Sequence, residues 1–347
     1  MIKYAFWNNK GGTGKTSLAF QVSCAYAHKN TEKKVLVIDA CPQGNLSELF
    51  LGGLNGKGNG NLLQCQGKMP RCSIGGYFEK RMSSAQAIFP DFTAQDYITS
   101  PFQYNENIPK NVDLVAGDPL LELQSNAINA LANIQSSRSD NDFFAWFEVV
   151  SWLNDFLREL EDNYDIVFID CNPSFSMYTQ IALAATDLLI LPVTADDSSC
   201  SAIQNAFSLI YGFKLPSEIY AQYAYAKKIK KNNFILPKVH LIVKNKLTQY
   251  MGNSAFAYAT VFQSIERDIK NLLKIHPEIF TFENFSSEGK VDIRDFQTTG
   301  AVSFARGCPF YSLSPGRLTV DDKRVQINQD NINSCMQAIN ALVDKIN

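Results

Sequence analysis

Apolar residues in this chain fall into short, nearly unbroken runs separated by stretches of helical period. Met1–Asn8, with Ile2, Tyr4, Ala5, Phe6 and Trp7, reads as a buried strand, and Lys34–Asp39 (Lys-Val-Leu-Val-Ile-Asp) is a β-branched run ending in a carboxylate. Runs of the same kind recur at Asn111–Asp118, Tyr164–Asp170, Ala185–Val193 and His240–Lys246. Between them, Thr16–His28 carries Leu18, Ala19, Val22 and Ala25 at helical spacing; Ile74–Pro90 and Phe92–Thr99 suggest two further helices. Strands alternating with helices predict an α/β fold, a three-layer, doubly wound, mostly parallel sheet with helices on both faces. The chain ends on a stripe of Ile332, Cys335, Met336, Ile339, Leu342, Val343 and Ile346, the pattern of an amphipathic helix.

Two regions break the alternation. Leu51–Gly76 holds eight glycines and reads as a flexible loop opening an inserted region over 51–110. The stretches 216–238 and 255–294 are longer than the connections of a minimal sheet of this type and are candidates for partner or DNA recognition. With 347 residues, 46% of them hydrophobic, the chain suits one enlarged domain over 1–347.

The chemistry starts where the first strand ends. Asn9-Lys10-Gly11-Gly12-Thr13-Gly14-Lys15-Thr16-Ser17 lies between a strand and a helix, the setting that a phosphate-binding loop requires. Glycines at 11, 12 and 14 let successive N–H groups approach phosphate oxygens, and the helix start adds unpaired donors and the positive end of a dipole. Lys15 is placed to reach β and γ phosphates and the Thr16 hydroxyl to complete a magnesium shell. ATP and Mg2+ are therefore the expected cofactors. The usual pattern opens on glycine; here that position is Asn9, followed by Lys10. From spacing alone, Lys10 is equally well a solvated surface lysine.

This loop resembles the deviant Walker A motif of the ParA/MinD family, Lys-Gly-Gly-x-Gly-Lys-Thr, and the later runs follow in that family's order. Asp39-Ala40-Cys41-Pro42-Gln43-Gly44-Asn45 is similar to the family's Asp-x-Asp-Pro-Gln-Gly-Asn segment, and Asp170 stands at the end of what looks like its Walker B strand. The resemblance implies that Lys10 crosses a dimer interface to phosphates held by the other subunit and that Lys10, Lys15 and Asp39 serve catalysis. It also implies magnesium at Thr16, Asp39 and Asp170, and adenine recognition by Asn245. One departure matters. The second aspartate of the family segment, thought to orient the attacking water, is Cys41, on the same strand face as Asp39. A thiol cannot replace a carboxylate there unless it ionises, so slow intrinsic hydrolysis is expected; alternatively Cys41 is a small buried residue and Asp39 suffices.

Charge narrows the partners less. Thirty-two basic against 34 acidic residues give a net charge of -2, so no global field draws the chain to nucleic acid. Lys227, Lys228, Lys230 and Lys231 form a local cluster, and Arg267, Lys270 and Lys274 recur at helical spacing. They are either solvated helix faces or the non-specific DNA contacts that the resemblance implies for an ATP-bound homodimer. The last helix has one lysine, Lys345, on its polar face, which suits a core helix rather than a membrane anchor. Without an apolar run of about 20 residues or a leader, and with eight scattered cysteines, a cytoplasmic protein with reduced thiols is expected, nucleoid-associated when ATP-bound. No N-terminal operator-binding domain is expected.

The leading functional expectation is a ParA-like ATPase that partitions or positions a plasmid, chromosome region or other cargo with a ParB-like stimulating partner. An ATP-binding switch with little hydrolysis, and a metabolic ATPase or synthetase of the same superfamily, are the alternatives.

Overall fold

The computed structural model describes every residue except 84–90, 135–143, 197, 214–223, 233, 248–252, 321–322 and 347. Seven strands form one sheet: β1 (Ile2–Phe6), β2 (Val35–Ala40), β3 (Val112–Val115), β4 (Ile166–Cys171), β5 (Leu188–Val193), β6 (Lys238–Leu247) and β7 (Lys290–Arg294). Their order is β3-β2-β4-β1-β5-β6-β7, and each neighbouring pair is parallel. A separate antiparallel ribbon joins β8 (Gly316–Val320) to β9 (Lys323–Ile327).

Side-chain alternation sorts each strand into two cores. Tyr4, Phe6, Val35, Val37, Ile166 and Phe168 lie in one, with Leu18 and Val22 of helix Lys15–Lys29 and Ile332, Ile339 and Leu342 of helix Gln329–Val343. Ala5, Trp7, Leu36, Ile38, Val167 and Ile169 lie in the other, with Tyr77, Phe78, Trp152, Phe156, Ile203 and Phe207. Period two divides the apolar run between opposite faces, and burial on both is why these strands read as continuous rather than alternating. The final helix packs along helix Lys15–Lys29, with Ile332, Cys335, Ile339, Leu342 and Val343 buried. It is a core helix, as its polar face suggested. Among the described residues no helix is long and apolar enough to cross a membrane.

Three expectations are corrected. Leu51–Gly76 is not a flexible loop: it contains helix Gly58–Gln66, whose Leu62 and Cys65 enter the core. Its glycines serve close backbone packing, since a Cβ on Gly53 would lie 2.5 Å from Gly307 N. Phe92–Thr99 is a single 3-10 turn, Ala94–Tyr97, after which Thr99 pairs antiparallel with Leu114. That bridge satisfies backbone groups on the open edge of β3. The stretch 255–294, expected as an insertion or extended connection, ends in β7, so its last part belongs to the sheet itself as the far edge strand. Of the helix expected over Ile74–Pro90, Ile74–Ser83 is present, and residues 84–90 and 216–223 lie outside the described residues.

Candidate functional site

β1 delivers the phosphate loop to the middle of the sheet. Asn8, 1% exposed, fixes where the loop begins: its Nδ2 donates to Pro192 O at the end of β5 (2.8 Å), and its Oδ1 accepts from Lys10 N (3.1 Å). Gly12 and Gly14 take positive φ (74° and 87°), the left-handed conformation that glycine adopts without strain. Beyond their chain neighbours, no described heavy atom lies within 4 Å of where a Cβ on Gly11 or Gly12 would sit. Lys15 Nζ folds back to donate to Lys10 O (3.0 Å). Burial pulls its ammonium below the ordinary value while Asp170 opposes.

Asn245 closes the loop from the other side. It is 3% exposed, donates to Thr13 O (2.8 Å) and occupies the space that a side chain on Gly14 would need. One N–H of the amide expected on adenine is thus given to the loop backbone. Ser17 is half-buried on the first turn of helix Lys15–Lys29.

Beneath the loop, parallel register sets Asp39 of β2 directly beside Asp170 of β4. Thr16 Oγ1 donates to Asp170 Oδ2 (2.6 Å), while Asp170 Oδ1 is buried and, among the described residues, has no hydrogen-bond partner. Asn9 Oδ1 and Thr13 Oγ1 are buried in the same condition. Asp39 differs: Oδ2 accepts from Ser47 N (2.9 Å) and Ser47 Oγ (2.8 Å), and Oδ1 from Cys41 N (3.2 Å). Burial pushes Asp170 up to about 7, with the Asp39 carboxylate adding and Thr16 and Lys15 opposing. Burial likewise raises Asp39 to about 6 against the Ser47 bonds. Two acids this close titrate as a pair and resist carrying two charges.

A magnesium nucleotide fits these residues. Asp170 Oδ1 and Thr16 Oγ1 are the hard oxygen donors that Mg2+ takes directly or through water, and the cation's charge would reverse the upward shift of the acids. Lys15 and the loop N–H groups supply donors for phosphate.

Cys41 sits at half burial with Asn172 Nδ2 3.5 Å from its Sγ. Burial, then the Asp39 carboxylate, push the thiol up to about 12, so it is neutral at physiological pH. Asn172 is itself fixed, since Ser174 N and Oγ donate to its Oδ1 and Trp7 Nε1 to its carbonyl. Lys10 ion-pairs with Asp196 of its own chain and reaches Ser199 Oγ (3.3 Å).

The basic residues lie apart from this site. Lys227, Lys230 and Lys231 are exposed on helix Tyr225–Lys231, and Arg267, Lys270 and Lys274 on helix Asn253–Ile275; both helices pack against helix Ser199–Tyr211. Lys228 is different, lying over the Trp146 ring at 5.1 Å with burial lowering its pKa. Sequence reasoning missed Asn8, Ser47, Asn172, Asp196 and Ser199. The polar run Thr194–Ser199 after a strand is a helix-start signal that could have found the last two.

The raised pair yields a signed expectation. A carboxyl whose folded pKa exceeds its ordinary value of 3.8 destabilises the fold as pH rises toward about 7, because its charged form is disfavoured. Without nucleotide, Asp170→Asn should therefore melt a few degrees above the native chain at pH 8 and by less at pH 5. With magnesium and ATP the native chain should gain melting temperature and the variant should lose most of that gain. Thermal unfolding at both pH values checks this; a variant less stable at pH 8 contradicts it.

The AAA domain family model AAA_31 matches residues 1–221. The chain is 27% identical over 190 residues to the chromosome partitioning protein ParA of Myxococcus xanthus, covering 54% of this chain and 50% of that one. It thus spans about half the length of this curated relative. Among solved structures, apo McdA of Cyanothece superposes with a TM-score of 0.59, covering 98% of both chains at 13% identity. A putative plasmid partition protein of Borrelia burgdorferi bound to AMPPNP gives 0.51 over 99% of each at 16% identity. At such identities these structures show the fold, a seven-stranded P-loop sheet flanked by helices. Together with the loop geometry, the family match establishes that the chain belongs to the AAA_31 family of AAA domains.

Proposed function

We propose that this chain is a ParA-like partition ATPase. It binds magnesium ATP at the loop, pairs with a second copy so that Lys10 of each contacts the other's phosphates, and in that state holds DNA without sequence preference. A ParB-like partner stimulates slow hydrolysis, and the cycle moves or positions a plasmid, chromosome region or other cargo. Its place is then the cytoplasm, on the nucleoid when ATP-bound. The observation that carries the reading is the loop bearing Lys10 together with three buried polar atoms that have no hydrogen-bond partner among the described residues, Asn9 Oδ1, Thr13 Oγ1 and Asp170 Oδ1. Partly exposed, Lys10 has a donor to turn outward.

Within this reading Lys15 and the loop amides hold phosphates, while Thr16 and Asp170 hold the cation. A cation held by Thr16 and Asp170 would supply positive charge against that developing on the transferred phosphoryl group. Asp39 works through the chain, because both its oxygens are bonded to the Cys41–Ser47 turn. The DNA contacts fall to Lys227, Lys230, Lys231, Arg267, Lys270 and Lys274, acting through backbone phosphates. Lys228 is excluded by its seat on Trp146.

One observation favours a second reading, an ATP-binding switch with little hydrolysis. The group beside the site where water would attack is a neutral thiol, which cannot take a proton from that water. Turnover separates the two. Cys41→Asp should raise intrinsic hydrolysis by about tenfold or more, given that a positioned base contributes roughly 10²–10⁴. Brisk and equal rates in both chains contradict the role assigned to this position.

DNA retention tests the rest. The native chain with magnesium and ATP should bind duplex DNA with affinity falling steeply with salt. Lys227→Glu, Lys230→Glu and Lys231→Glu together should weaken it by about tenfold or more and flatten the salt slope. Undiminished binding rules this cluster out.

A further inference from the structure

Asp196 follows β5 and precedes helix Ser199–Tyr211, outside the motifs that sequence reasoning singled out. Its carboxylate gathers most of the polar groups around it. Oδ2 accepts from Thr194 Oγ1 (2.8 Å); Oδ1 accepts from Ser198 N (3.2 Å), Ser198 Oγ (3.0 Å) and Ser199 Oγ (3.2 Å), and pairs with Lys10 Nζ. Partial burial pushes the carboxyl up, yet Lys10, Thr194 and Ser198 together hold it well below the ordinary range. The Lys10 backbone is fixed as well, its N–H on Asn8 and its carbonyl receiving Lys15. The side chain that would reach another subunit is therefore anchored at both ends inside its own.

We infer that Asp196 is a positioning residue for Lys10, a carboxylate that holds this lysine in its own chain and must yield it to phosphate before two copies can close over nucleotide. The inference rests on the dimer reading above. An ammonium at the interface can satisfy Asp196 of its own chain or a phosphate of the facing nucleotide, and both are anions competing for one cation. A triphosphate with several acidic oxygens is the stronger competitor; a diphosphate lacks the terminal group. The contact thus sets how much nucleotide closure requires and disfavours closure without it. Asp196 keeps its hydroxyl and amide donors after Lys10 leaves, so opening the pair does not strand a bare carboxylate. Since each copy contributes one such pair, a dimer opens two, and a modest contribution from each multiplies.

Two measurements on the full chain test this. In sedimentation velocity with magnesium and a non-hydrolysable ATP analogue, Asp196→Asn should reach half-dimer at an analogue concentration about fivefold lower than the native chain, as expected for two partly exposed ion pairs. In the nucleotide-free monomer, acylation by acetic anhydride read by mass spectrometry should be several-fold faster at Lys10 in Asp196→Asn, with exposed lysines such as Lys227 unchanged. An unchanged or raised half-dimer concentration overturns the inference, the latter because Asp196 would then be supporting the closed state. Equal Lys10 reactivity overturns it too, by showing that no pair shields the amine. A native chain that stays monomeric at every analogue concentration would overturn the dimer reading and the competition with it, while the reactivity ratio still decides whether the pair exists.

Discussion

Parallel pairing of β2 with β4 forces two carboxylates, Asp39 and Asp170, side by side in a dry place beneath a lysine-bearing loop. Neither acid can leave, because each is the penultimate residue of a strand buried along its whole length. Their mutual repulsion and desolvation have two remedies, a proton or a cation. The chain satisfies Asp39 internally with Ser47 and the Cys41 amide, and leaves one oxygen of Asp170 without a partner among the described residues. That asymmetry separates the organising acid from the one that faces a ligand. It also explains why Ser47 closes on Gly117 N (2.8 Å): the turn after β2 and the end of β3 are held by the same serine that restrains Asp39.

Lysines complete the electrostatics in different ways. Lys15 is held over the acids by its own loop and buried, so its charge is used locally. Lys10 stands at the rim and is restrained by Asp196, which makes its charge transferable. Cys41 adds neither charge nor base. The site thus combines phosphate-facing donors, a buried acid with a free oxygen among the described residues, a restrained lysine and a neutral thiol.

The sequence made strands, order and loop legible because buried parallel strands leave continuous apolar runs and because glycines, lysine and threonine between strand and helix have few other uses. Its errors share one cause: composition does not reveal partners distant in sequence. Glycines at 52–58 suggested flexibility, yet Gly53 admits the backbone around Phe304–Gly307, some 250 residues away. Phe92–Thr99 had helical content, but the open edge of β3 recruited Thr99. That Asn245 donates to Thr13 required the fold. Asp196 was passed over because the Thr-Ala-Asp-Asp-Ser-Ser run looks like ordinary helix capping; its meaning comes from Lys10, 186 residues earlier.

The central claim is that Lys10 belongs to one subunit in the free chain and to the facing subunit's nucleotide in the closed one. A crystal structure of the full chain with magnesium and a non-hydrolysable ATP analogue addresses it directly. The account expects a twofold dimer with Lys10 Nζ within hydrogen-bond distance of a phosphate held by the other subunit, and with Asp196 no longer paired to it. Nucleotide bound to a single chain whose Lys10 still rests on Asp196 would contradict it.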